Sequence, residues 1–154
     1  MNPAEGDPRR TIRCQGAIVK EDRILLIQHR EHGSGRSYWL FPGGGQDEGE
    51  TEEQCVQREM QEETGLTVRV ERLLLDMPMP PGGAYQRHHT YLCTPLSGEA
   101  RPGYEPEVEA AQSYSIVGVK WVDLHDESSW GEDLCADRFT FAPLEGVQKV
   151  LGYV

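Results

Sequence analysis

The 154-residue chain predicts an α/β fold, a sheet with helices on both of its faces, and three stretches carry that expectation. Ile24-Leu25-Leu26-Ile27 is an unbroken apolar run of strand length, the pattern of a strand covered on both faces. Thr51, with Gln54 three residues on, opens a helix as a capping box, and Gly65 supplies a left-handed residue to close it. Near the end, Leu144, Val147 and Leu151 fall on one helical face of Ala142–Leu151, with Pro143 in what would be its first turn.

The totals set bounds. A chain of this length buries about two-thirds of its unfolded surface, and residues 11–154 are expected to form one domain behind a loose tail at 1–10. A formal charge of -11 leaves no basic footprint for nucleic acid or an anionic membrane, so neither partner is expected. An acidic protein that handles an anionic substrate needs local cations, supplied by a metal or by a few arginines. Cys14, Cys55, Cys93 and Cys135 show neither a CxxC pair nor metal-ligand spacing. Cys14 and Cys55 lie in apolar segments and read as small buried hydrophobes, which fits a reduced, cytoplasmic compartment. No apolar stretch approaches the ~18 residues of a membrane span, and the N-terminus lacks the apolar core of a signal peptide.

Taken in order, Thr11–Lys20 and Arg23–Arg30 read as a β-hairpin about the turn Glu21-Asp22. A polar loop at Glu31–Ser37 leads to a short strand, Tyr38–Phe41, which stops at Pro42 and Gly43-Gly44-Gly45. The glycines let backbone approach a ligand with no side chain in the way. Leu66–Asp76 and Arg87–Thr94 read as strands on either side of an irregular, proline-rich loop at Met77–Ala84. Ser97–Ser115 is a long segment with little periodicity, a length that points to a functional loop or to disorder. Ile116–Leu124 is the last strand, with Trp121 as a core anchor.

The helix Glu52–Thr64 breaks local rules. Glu59, Glu62 and Glu63 stand at i, i+3 and i+4, where like charges repel. Glu62 and Glu63 also occupy the last turn, where the helix dipole favours a cation. A solvated acidic face is the bland account of such a run. A bound divalent ion is the chemical one. Three carboxylates facing a glycine turn suit Mg²⁺, which takes oxygen ligands, and the absence of His and Cys from the cluster disfavours zinc.

The longer pattern decides between them. Gly44, Glu50 and Arg58-Glu59-Met60-Gln61-Glu62-Glu63-Thr64-Gly65-Leu66 meet every specified position of GX5EX7REUXEEXGU, with U aliphatic, so the chain resembles the Nudix (MutT-like) hydrolases. The resemblance is tight over Trp39–Leu66 and looser from Thr11 to Leu124. It implies an α/β/α sandwich with a mixed β-sheet between helices, and Mg²⁺-dependent cleavage of a diphosphate linkage, with Mn²⁺ able to substitute. It also implies that Glu59, Glu62 and Glu63 are metal ligands, joined by a carbonyl of Gly43 or Gly44, and that Glu50 supports them. Arg58 then orients a carboxylate. The general base is one of these glutamates or a later one, for which Glu105, Glu107 and Glu109 are candidates, Glu107 foremost. Arg13, Arg36 and Arg87 are candidates for substrate phosphates, a task for which guanidinium is well shaped. Arg30 has the same chemistry. Of the neighbours His88 and His89, which a strand points to opposite faces, one could turn toward the site.

The implied partner is a small nucleotide, cleaved by a monomer or a homodimer. ADP-ribose or nucleotide-sugar substrates and nucleoside triphosphates are both expected. The alternatives from other classes are a non-catalytic nucleotide sensor and a calcium-binding structural helix. The first is disfavoured because all four box carboxylates are kept, the second because no alternating-ligand loop is present.

Overall fold

A computed structural model of the protein describes residues 11–104, 111 and 113–154. Strands β1 (Ile12–Lys20) and β2 (Arg23–Glu31) form the expected hairpin, and both turn residues are left-handed, Glu21 at φ 52° and Asp22 at φ 64°. Left-handed conformation at two adjacent residues is the two-residue turn that matches strand twist, although neither residue here is glycine. Asp22 is held in place from elsewhere: the hydroxyl of Tyr153 donates to its carboxylate at 2.7 Å, and Nε2 of His125 lies 3.0 Å from it.

The hairpin parts almost at once. Only Val19–Ile24 and Lys20–Arg23 are paired, after which β1 runs parallel to β6 (Arg87–Ser97) and β2 runs antiparallel to β7 (Tyr114–Asp123). The gap between the diverging strands is filled by β3 (Ser37–Leu40) on β2 and the two-residue β4 (Gly43–Gly44) on β1. The carbonyl of Pro42 stitches the crossing by accepting from the Gly16 amide at 3.0 Å. With β5 (Thr67–Pro78) on the outer edge of β6, the result is a seven-stranded mixed sheet of order β3-β2-β1-β6-β5, β4 lying on β1 and β7 on β2.

The apolar run of β2 is covered on both faces, as its pattern required. Leu25 joins Cys14, Ile18 and Tyr91 beneath Cys55, Val56 and Met60 of α1 (Glu52–Thr64). Ile24 and Leu26 point the other way, into a second core with Phe41, Trp130 and, from α3 (Arg138–Val150), Leu144 and Val147. Each fully buried aliphatic side chain contributes about 1.5–3 kcal/mol, so both helices are clamped to the sheet by the same strand. Cys14, Cys55 and Cys93 are buried, Cys135 is exposed and all four are free thiols.

Several boundaries differ from the expectations. β5 continues through Met77 and Pro78, and β6 through Ser97, because the two ladder together along their whole length. α3 begins at Arg138, four residues before the predicted start. The side chain of Asp137 caps it, accepting from the Phe139 amide at 3.1 Å, so Pro143 lies inside the helix rather than in its first turn. A 3₁₀ turn at Glu127–Ser129 and a five-residue helix α2 (Glu132–Ala136) were not anticipated. Trp130 is the buried anchor of its region, its indole donating to the Asp123 carbonyl at 2.7 Å, whereas Trp121 is only partly buried at the margin of the first core. Among the described residues no helix is long and apolar enough to cross a membrane. The expected tail at 1–10, and Glu105, Glu107 and Glu109, lie outside the described residues.

Candidate active site

Local chemistry fixes α1 at both ends. Thr51 Oγ1 accepts from the Gln54 amide at 3.1 Å while Gln54 Oε1 accepts from the Thr51 amide at 2.9 Å, a complete capping box. Gly65 takes the left-handed conformation, φ 76°. No basic residue sits in the last turn. Backbone amides stand in for one: those of Arg101, Gly103 and Tyr104 donate to the carbonyls of Thr64, Glu63 and Glu62 at 3.0, 2.9 and 3.1 Å. They satisfy acceptors that a helix end otherwise leaves to water.

Anchored in this way, α1 presses its carboxylates onto the glycine turn. Glu63 is 1% exposed, and its Oε1 accepts from the Gly43 amide at 2.7 Å. Glu59 is 6% exposed, and its carboxylate lies so close to Cα of Gly44 that any Cβ there would overlap it. A Cβ on Gly43 would come within 2.5 Å of the Cys14 carbonyl oxygen and 2.7 Å of Gln15 Cα. Both glycines are therefore required by close approach, Gly43 to the backbone of β1 and Gly44 to a carboxylate.

Arg58 is the hub of the charge cluster. Its Nε lies 2.7 Å from Glu50 and 3.2 Å from Asp47, Nη1 lies 3.0 Å from Glu59 and 3.2 Å from Glu62, and Nη2 donates to the Gly45 carbonyl at 3.1 Å. The hydrogen bonds with Arg58 hold the Glu50 carboxyl below the ordinary range, and those with Glu50 push the Arg58 guanidinium further up. Arg58 was expected to orient one carboxylate; its guanidinium bridges Glu59 and Glu62 to Glu50 and so offsets part of the repulsion that the helical spacing implies, before any metal is added. Among the described residues, no three acidic, imidazole or thiol side chains converge closely enough to form a ready-made metal cage. The donors at hand are all oxygens, a chemistry that suits a hard divalent cation.

Beside the glycine turn opens a cavity of about 310 Å³ whose walls include Arg13, His29, Tyr38, Gly44, Glu59 and Phe139. Arg13 is 8% exposed, with Nη2 donating to the Phe41 carbonyl at 2.8 Å and Nε to Gln15 Oε1 at 3.3 Å. No carboxylate among the described residues lies within ion-pair distance of it. His29 and His88 are both held neutral, lowered to about 3 and about 4, chiefly by burial and then by the positive charge of Arg13.

The other expected residues are distributed differently. Arg36 is exposed, 5.7 Å from the Tyr38 ring centroid, on an adjoining cavity of about 470 Å³. Arg87 is paired with Asp76 at 2.7 Å on the β5–β6 ladder, and Arg30 donates to Ser37 at 3.3 Å. His88 and His89 do point apart. His88 is buried near Gln15, whereas His89 lies 2.6 Å from Glu52 on the α1 side. His29, Tyr114 and Phe139 were not anticipated, since a histidine or an aromatic inside a strand or helix carries no signal that it borders a cavity.

A sequence model of the NUDIX domain family matches residues 9–140. The NAD-capped RNA hydrolase NudC of Photobacterium profundum is 40% identical over 90 residues, which cover 58% of this chain and 32% of that protein. The ADP-ribose pyrophosphatase of Methanocaldococcus jannaschii is 41% identical over 63 residues, 41% of this chain and 37% of that one. The chain thus spans about a third of the length of these curated relatives. Among solved structures, the MutT NUDIX hydrolase from Burkholderia pseudomallei is 28% identical with a TM-score of 0.63, over 89% of this chain and 97% of that one.

Proposed function

The chain belongs to the NUDIX domain family, and from that premise we propose that it is a divalent-cation-dependent hydrolase, cleaving the diphosphate linkage of a nucleoside diphosphate derivative by attack of water on phosphorus. The observation that carries the proposal is the seating of Glu59 and Glu63 of α1 against Gly43 and Gly44, next to a cavity that contains the buried guanidinium of Arg13.

Glu59, Glu62 and Glu63, with a carbonyl of Gly43 or Gly44, are the donors for the cation, Mg²⁺ in preference and Mn²⁺ as a substitute. A divalent ion supplies charge neutralisation at the phosphates and acidity to water. The chain's own residues supply the rest. The Gly43 amide fixes one oxygen of Glu63, and Arg58 restrains Glu50, Glu59 and Glu62. Arg13 offers a desolvated cation to a phosphate oxygen, a contact that strengthens away from bulk water. Arg36, at the rim, is a second candidate for that contact. Arg87 would have to leave Asp76 to take part. The proton of the attacking water passes to a glutamate, either one of the α1 cluster or Glu107, and the E107Q variant distinguishes these.

Relatives named for ADP-ribose and for NAD caps support a nucleoside diphosphate joined to a second group as the substrate class, ahead of nucleoside triphosphates. The test is a panel of ADP-ribose, nucleotide sugars, dinucleotides and nucleoside triphosphates with Mg²⁺, the products being resolved. Release of a nucleoside monophosphate from at least one compound is expected. Binding without turnover across the panel would instead favour a nucleotide sensor.

A further inference from the structure

The segment that leaves β6, residues 98–104, has no regular secondary structure, yet it closes the acidic end of α1. The last four carbonyls of a helix have no partner within it. In α1 all four find one beyond its last residue. The Gly65 amide donates to Gln61 at 3.1 Å, and the amides of Tyr104, Gly103 and Arg101 donate to Glu62, Glu63 and Thr64 in turn. Two glycines let backbone come this close to backbone. A Cβ on Gly98 would overlap the Gly65 carbonyl oxygen, and one on Gly103 would overlap the carbonyl oxygen of Glu62. The segment is also anchored from elsewhere, since Ala100 packs against the first core and the Arg101 side chain lies over Gly65.

The turn closed in this way carries Glu62 and Glu63, two of the three carboxylates read above as donors to the cation. Helix ends fray, so ligands on a last turn stand where a helix is least rigid. A metal site needs the opposite, because its donors work only when held to within about 0.5 Å of the required geometry. We propose that residues 98–104 set the cation-binding end of α1, and that Gly103 is a positioning residue for Glu62 and Glu63. Gly103 touches neither cation nor substrate and acts through the helix backbone. Its missing side chain is what allows three consecutive carbonyls, those of Glu62, Glu63 and Thr64, to be gripped by one short stretch of chain. The alanine methyl of a G103A variant meets the Glu62 carbonyl, which belongs to the helix and cannot swing aside as a side chain does. The strap must then lift, and the turn beneath it loses its donors together. This inference rests on the reading of Glu59, Glu62 and Glu63 as cation donors.

The test is calorimetric titration of the full chain with Mn²⁺, wild type against G103A, beside thermal melts of both proteins without metal. Wild type is expected to bind saturably. G103A should bind about tenfold or more weakly, the scale of one lost hydrogen bond, while its melt stays cooperative. Hydrogen exchange at the Gly65 amide, which donates to Gln61 within the same turn, should quicken in the variant. A merely structural role would lower the melting midpoint and leave the Mn²⁺ affinity of the folded protein unchanged. Should G103A fail to fold, Y104P replaces it, removing the amide that donates to Glu62 and adding no bulk at Gly103. Y104A, which keeps that amide, should bind Mn²⁺ about fivefold or more tightly than Y104P. Equal affinity in wild type and G103A, or in Y104A and Y104P, would overturn the proposal and leave the cation site standing. Failure of the wild-type protein to bind Mn²⁺ would remove the site and the proposal together.

Discussion

The Gly43 amide donates to Glu63 Oε1 at 2.7 Å, joining a two-residue strand that fills the split hairpin to a carboxylate twenty residues later on α1. One hydrogen bond thus connects the sheet's opening to the charged face of the helix. Replacing Glu63 by Gln keeps an acceptor for that amide and removes the charge. The E63Q variant is expected to fold with a thermal midpoint close to wild type and to lose about 10²-fold or more in kcat. Activity assays beside thermal denaturation check both halves.

The two glycines of β4 should fail in different ways when changed to alanine. At Gly43 the new methyl meets backbone of β1, which cannot move aside, so G43A is expected to cost about 2–4 kcal/mol of stability. At Gly44 it meets the end of the Glu59 side chain, which can swing away. G44A should therefore stay within about 1 kcal/mol of wild type yet lose about tenfold or more in activity, through misplacement of Glu59. Denaturant melts and steady-state rates on the pair separate the two effects.

Acid should weaken the Arg58 hub. The folded-state pKa of Glu50 lies below its ordinary value because of Arg58. The stabilisation it provides is therefore present in full above the unfolded pKa of about 4.3, and is lost as pH falls through the folded value. Comparison of wild type with E50Q should show a stability difference at pH 7 that disappears at acid pH below the ordinary carboxylate range. R58A should reproduce the loss at pH 7 and lower kcat as well, since Glu59 and Glu62 lose the same restraint.

What could be read from the chain beforehand was whatever is local. The boundaries of α1 and both of its caps follow from Thr51, Gln54 and Gly65, residues that act within four positions of themselves. The two-sided burial of Ile24–Ile27 follows from their unbroken apolar character. What could not be read is long-range. Nothing in Thr11–Lys20 announces a parallel partner at Arg87–Cys93, or that the hairpin opens to admit Gly43 and Gly44. Asp137 capped a helix whose Pro143 made the start look later. Arg13, expected at the phosphates, does border the cavity, while Arg87 is engaged by Asp76. His29 gave no sign at all, because a histidine inside a strand does not announce that it borders a cavity.

The claim beneath all of this is that Glu59, Glu62 and Glu63 together seat a divalent cation. Titration with Mn²⁺ followed by electron paramagnetic resonance tests it directly. The account predicts saturable binding by the wild-type chain that is weakened at least tenfold in an E59Q/E62Q double variant whose thermal melt remains cooperative. Equal Mn²⁺ affinity in the two proteins would contradict it.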